Sequence, residues 1–272
     1  MQTEKPTLVT AEKRLLSSTL LRRVVVLHIY SCAPKLPHHN LPLLLINDGQ
    51  DLDQMKFKTI LSDLYHSHEI EPVFFVGIEC GPKRTSEYAT AKYLDFEGRG
   101  ADAPVYQLFI LTELLPYLHL HYTGWLSNEK SICGFSMGGL SAMDIAWNHP
   151  HEFKNLGVFS GSFWWRLLSQ DDPRFNEEND RIMHLQIRGG QHVSGLKFFF
   201  EAGALDETAD RNHNGVIDSV DDTRDLIKEL VKKGYALGRD IQYLELKDGR
   251  HDVPTWGKAF PKFLKWAWGN HR

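Results

Sequence analysis

The chain has 272 residues, 42% of them hydrophobic, which suits one large α/β domain with a substantial core. A net charge of −4 leaves no basic surplus, so nucleic acid and anionic membrane are excluded as expected partners. No apolar run approaches the ~20 residues that cross a bilayer, and Cys32, Cys80 and Cys133 are too widely spaced for a disulfide framework or a CxxC metal knuckle.

The first ten residues are polar and lack the basic head and apolar run of a signal peptide, so a cytoplasmic location is expected. Residues 14–30 read as a hairpin opening a sheet. The run 41–46 is continuously apolar and ends in Asn47-Asp48-Gly49-Gln50, a buried strand entering a turn. Residues 72–78 repeat that design. A helical period covers 106–122, with Pro116 expected to kink or end it. Residues 137–148 form a helix, and 156–159, 183–187 and 196–200 read as strands. A helix over 222–233 closes at Gly234. Residues 241–246 alternate as a last strand, and 254–268 form a final amphipathic helix. Strands alternating with helices, without a linker, predict one α/β domain: a mostly parallel sheet covered on both faces.

The run Gly134-Phe135-Ser136-Met137-Gly138-Gly139 stands between a strand and a helix. Gly-x-Ser-x-Gly in that setting is a nucleophile elbow, where the chain turns sharply and presents a serine at the end of a sheet. The helix N-terminus aims free N–H groups and a positive dipole end at any oxyanion formed there. Met137 N–H is the first expected oxyanion donor. Gln50 N–H, after an earlier strand, is the second, against the alternative that 47–50 is a simple Asp-Gly turn.

A serine nucleophile needs a base, and the base needs an acid, in the chain order Ser, Asp or Glu, His. Of the histidines after Ser136, only His251 follows the last strand in a glycine-bearing loop, Lys247-Asp248-Gly249-Arg250-His251-Asp252. The acid is expected after the strand near 200, beyond Gly203. Asp206 is the first choice and Glu207 the second. Tyr88, Trp164, Trp165 and Trp256 are candidate walls of an aromatic substrate pocket, against a plain core role.

A second motif runs over 210–221 as D-x-N-x-N-G-x-I-D-x-x-D. Asp210, Asn212, Asn214, Asp218 and Asp221 supply hard oxygen donors, Val216 a carbonyl, and Gly215 the sharp turn of a calcium loop. Its twelfth position is Asp rather than the usual Glu. The alternative is a polar insertion held by Asx-turns. The loop begins four residues after Asp206, so structural calcium there would brace the acid.

Asn47-Asp48-Gly49-Gln50, Gly134-Phe135-Ser136-Met137-Gly138-Gly139, Gly203-Ala204-Leu205-Asp206 and Gly249-Arg250-His251 before Trp256 together resemble the putative-esterase family of α/β-hydrolases. Enterochelin esterases, feruloyl esterases, esterase D and antigen 85-type mycolyltransferases belong to that family. Glu87-Tyr88-Ala89-Thr90, Gly98-Arg99-Gly100 and the run 160–165 look like a bacterial subgroup of it. The resemblance implies an α/β-hydrolase fold with Ser136 as nucleophile, Asp206 as acid and His251 as base. S-formylglutathione hydrolases carry Asp-His-Ser around the histidine, whereas Arg250-His251-Asp252 stands here and argues against that activity.

The expected activity is therefore a serine carboxylesterase acting on a small-molecule ester, with no catalytic cofactor. An acyltransferase on the same fold and a non-catalytic, calcium-stabilised binding module are the alternatives.

Overall fold

In the computed structural model, residues 8–32 and 40–270 are described. Eight strands form one sheet: β1 (Val9–Ser18), β2 (Arg23–Cys32), β3 (Leu41–Asn47), β4 (Phe74–Ile78), β5 (Leu126–Phe135), β6 (Asn155–Phe159), β7 (Lys197–Leu205) and β8 (Ile241–Arg250). Their order is β1-β2-β4-β3-β5-β6-β7-β8. The pairs β1–β2 and β2–β4 are antiparallel, and every later pair is parallel. This is the mostly parallel α/β-hydrolase arrangement.

The continuous apolar strands are explained by burial on both faces. In β3, Leu43 and Leu45 enter one core while Leu44 and Ile46 enter the other. In β7, Phe198 and Phe200 face the first core and Phe199 the second. The first core lies under helices Ala103–Phe109, Met137–Asn148, Ile182–Gly189 and Asp218–Lys232, through residues such as Phe109, Met143, Met183 and Leu226. Helices Phe57–His66 and Val253–Trp268 cover the second, through Phe57, Leu61, Phe260 and Leu264.

Three expectations are revised. Residues 183–187 are helical, inside Ile182–Gly189. A five-residue apolar run cannot be separated from a buried helix by periodicity, and Met183 and Ile187, four apart, share its buried face. Pro116 neither ends nor breaks its helix. A π-helical turn, Ile110–Leu114, precedes Leu115–His121 and widens the backbone where the proline lacks its N–H. Strand β8 runs to Arg250, so His251 stands at a strand end rather than inside a longer loop.

No helix among the described residues is long and apolar enough to cross a membrane.

Candidate active site

Ser136 sits between β5 and the helix Met137–Asn148 with φ 54° and ψ −122°, a conformation few side-chain-bearing residues adopt. Its neighbours make that turn possible. A Cβ on Gly134 would lie 2.3 Å from the Gly138 carbonyl oxygen, and one on Gly138 would lie 2.5 Å from the Asp48 carboxylate. The turn is pinned from β6 by a 2.8 Å hydrogen bond from Ser136 N–H to the Phe159 carbonyl. Ser136 Oγ lies 3.4 Å from the hydroxyl of Ser162. Met137 heads the helix, where the first N–H groups have no intrahelical acceptor.

The Asn47-Asp48-Gly49-Gln50 segment is bound to the elbow. Asn47 Nδ2 donates to the Gly138 carbonyl at 2.8 Å, and Asn47 Oδ1 accepts from Tyr106 at 2.7 Å. Asp48, with φ 62°, receives two 2.7 Å hydrogen bonds from Arg84. Gln50 opens outward from the short helical turn Gly49–Asp51, its side-chain oxygen accepting from Cys80 N–H.

Asp206 follows β7 directly. Its carboxylate folds back over Gly203, whose N–H donates to it at 3.3 Å. The glycine is there for room rather than for the turn: a Cβ on Gly203 would lie 2.5 Å from Asp206 Oδ1 and 2.6 Å from the Gly249 backbone. His251 Nδ1 stands 4.0 Å from Asp206 Oδ2, within ion-pair range and too long for a hydrogen bond. In ligand-free active sites, acid–base hydrogen bonds are often this long and tighten when substrate binds. Burial raises the Asp206 carboxyl above the usual range, opposed by Ser160 and by the His251 charge. Burial lowers the His251 imidazole, with the Asp206 carboxylate opposing it and the Arg84 guanidinium adding to it. Glu207, the second choice for the acid, points away and accepts from Ser219 N–H at 2.6 Å.

The aromatic pocket is revised. Tyr88 and Trp165 are fully buried. Tyr88 packs edge-on against Tyr106, and its hydroxyl accepts from Asp48 N–H at 3.2 Å, so it supports the 47–50 segment from below. Trp164 is half-buried under the Arg99 guanidinium, 5.1 Å from its ring. Trp256 is buried behind His251: their rings meet edge-on at 5.5 Å, and the indole stacks on Phe135 at 5.1 Å.

In the 210–221 loop, Asp210 accepts from the N–H groups of Asn214 and Gly215 at 3.1 and 2.9 Å. The side-chain amides of Asn212 and Asn214 both donate to Asp221. Asp218 departs from the expected ligand set, because its carboxylate accepts from Arg211. Among the described residues no group of three or more His, Cys, Asp or Glu is placed to hold a metal.

Sequence reasoning gives no role to Arg84 or Glu201, and it places Ser160 and Ser162 only within the run 160–165. Glu201 left a signal of its own, as the one charge in the otherwise apolar run 198–205.

The fold finds counterparts in known proteins. Uncharacterized protein YbbA of Bacillus subtilis is 22% identical over 85% of this chain and 87% of its own length. The iron(III) enterobactin esterase of Escherichia coli is 24% identical over 60% of this chain, which spans only 37% of that protein. Among solved structures, the Shigella flexneri enterobactin esterase superposes with a TM-score of 0.71 at 20% identity, covering 98% of this chain and 60% of that one. A ferulic acid esterase gives a TM-score of 0.66 at 17% identity over 96% of this chain and 98% of that one. The family profile described as "Putative esterase" matches residues 25–267. With nine-tenths of its length inside that match, the chain belongs to the putative esterase family of α/β-hydrolases.

Proposed function

We propose that the protein is a serine carboxylesterase that works through an acyl-enzyme. The observation that carries this reading is Ser136, held at φ 54° on a helix N-terminus at the sheet end that also carries Asp206 and His251. Ser136 Oγ attacks the ester carbonyl while His251 takes its proton. Asp206 holds the imidazole in the correct tautomer and stabilises the imidazolium. The N–H groups of Met137 and Gln50 receive the oxyanion. His251 then protonates the leaving alcohol and activates the water that clears the acyl group. Nothing in this sequence of steps needs a cofactor. A small-molecule ester is the substrate, and esters of the siderophore or feruloyl kind are the first to try, given the family.

Labelling by a fluorophosphonate probe tests the reading. Fast modification of Ser136, absent in Ser136→Ala, is expected; an unreactive wild-type protein would leave the binding-module alternative. Added alcohol acceptors separate a hydrolase from an acyltransferase.

For the 210–221 loop, we propose structural calcium held by Asp210, Asn212, Asn214, Asp221 and the Val216 carbonyl. Supporting it, Asp210 already gathers the N–H groups at the loop's fifth and sixth positions. Asp218 is left to Arg211.

A further inference from the structure

Behind the proposed acid lies a second carboxyl group. Glu201 is in β7, two residues beyond Phe199 and therefore on the same face of the strand, towards the C-terminal helix. It is completely buried. Neither of its oxygens, nor Oδ1 of Asp206, has a well-formed hydrogen bond among the described residues. Ser160 acts on both carboxyls. Its N–H donates to the Glu201 carbonyl at 2.9 Å, and its side chain is close enough to both carboxyls to favour their ionised forms. The Ser160 hydroxyl also accepts from Trp256 Nε1 at 3.0 Å, and Trp256 is the ring that backs His251.

A hydroxyl has one proton to give and two lone pairs to receive with. With both carboxyls ionised, one Ser160 proton would have to serve two buried anions, and three oxygens would compete for it. With one proton added, a single directed chain satisfies the group. Asp206 has His251 and the Gly203 N–H to stabilise its charge, whereas Glu201 has Ser160 and, among the described residues, no cation that lowers it. The proton therefore belongs on Glu201.

We propose that Glu201 is a positioning residue that stays protonated and donates through Ser160 Oγ to Asp206 Oδ1, holding Asp206 ionised and aimed at His251. The chain runs Glu201 O–H to Ser160 Oγ, then Ser160 O–H to Asp206, with Trp256 N–H filling the second lone pair of Ser160. This rests on Asp206 and His251 acting as in the proposed mechanism. Burial first, and then the neighbouring Asp206 charge, push the Glu201 carboxyl up to about 8. The other charged groups around the chain are His251 and Asp252 after β8 and Arg84, which faces His251. Losing the Glu201 proton removes the donor to Ser160 and places a second anion beside Asp206. Both effects lower the rate.

The experiment combines a pH profile with infrared spectroscopy on the intact protein. The wild type should show an alkaline fall in kcat/KM near pH 8, and a protonated-carboxyl carbonyl band below that pH which is lost above it. Glu201→Gln keeps a neutral donor, so it should lose both the alkaline fall and the band, and retain at least tenfold more activity than Glu201→Leu. An alkaline fall that survives in Glu201→Gln would overturn the proposal, as would a wild-type spectrum without that band below pH 8. The spectrum does not depend on turnover, so a failure of the triad itself, seen as hydrolysis by Ser136→Ala, is told apart from a failure at Glu201.

Discussion

Arg84 and Asp48 are joined by two parallel 2.7 Å hydrogen bonds, and Asp48 is 1% exposed against the elbow glycine Gly138. The same guanidinium reaches the carbonyl of Phe135, the residue before Ser136, at 3.4 Å. A pairing between two loops thus fixes the floor on which the serine turns. Arg84→Ala would leave a buried carboxylate unpaired, at a cost of about 3 kcal/mol. Arg84→Lys would lose the two-pronged geometry and recover only part of it. Urea denaturation of both variants measures the difference. A loss under about 0.5 kcal/mol in the alanine variant would show that the pair contributes as little as an exposed one.

Ser136→Ala should abolish covalent labelling and lower kcat at least about a hundredfold with the melting temperature little changed. His251→Ala should match it, because groups that act as one unit are not additive. Asp206→Asn should be costly and Glu207→Gln nearly silent, since Glu207 is turned to the Ser219 N–H. Steady-state kinetics on a chromogenic ester reads all four, and the reverse order for the two acids would move the assignment to Glu207.

The packing around the elbow makes a sharp contrast between glycines. A Cβ on Gly134 would meet the Gly138 carbonyl at 2.3 Å, backbone against backbone. Gly134→Ala should therefore destabilise by about 1–3 kcal/mol or more and depress activity with it. Gly189, at the end of its helix, has open space around the added methyl. Gly189→Ala should be neutral or stabilising by about 0.4–1 kcal/mol. Equal effects in thermal melts would contradict the steric account.

Glu201 also makes stability depend on pH. Its carboxyl is raised from 4.5 to about 8 on folding, so the native state binds more protons than the unfolded chain between those values. The protein should therefore lose stability as pH rises from the lower value to the upper, and level off beyond it. Glu201→Gln removes this contribution, so its stability relative to wild type should improve progressively across that window. Chemical denaturation at several pH values would show it; a constant difference would place the carboxyl in its ordinary range.

Calcium should raise the melting temperature and chelation should lower it. An ion that binds only the native state stabilises by about 2.7 kcal/mol at a hundred times its Kd. Asp210→Ala should remove the response. Asp218→Asn should leave most of it, because Asp218 accepts from Arg211 instead of joining the loop's converging side chains. An identical melt in calcium and in chelator would dismiss the ion.

Local structure was legible in the sequence wherever one short segment carries both the constraint and its signature. Gly134-Phe135-Ser136-Met137-Gly138 encodes its own turn, because only glycines fit where strand and helix backbones nearly touch. The apolar runs of β3 and β4 announce strands buried on two faces, and the order Ser136, Asp206, His251 follows from the chain. Contacts between distant segments carry no such signature. Nothing near position 84 announces an arginine for Asp48. The tryptophans that read as pocket walls were divided by packing into a buried Trp165, a half-buried Trp164 and a Trp256 that backs the histidine. The 183–187 run became a helix because its neighbours offered a helical seat, a choice that five apolar residues do not make alone. Glu201 shows the division within one residue. The sequence places a charge inside a buried strand, and the sheet brings Ser160 and Asp206 beside it, where a shared proton costs less than a second buried charge.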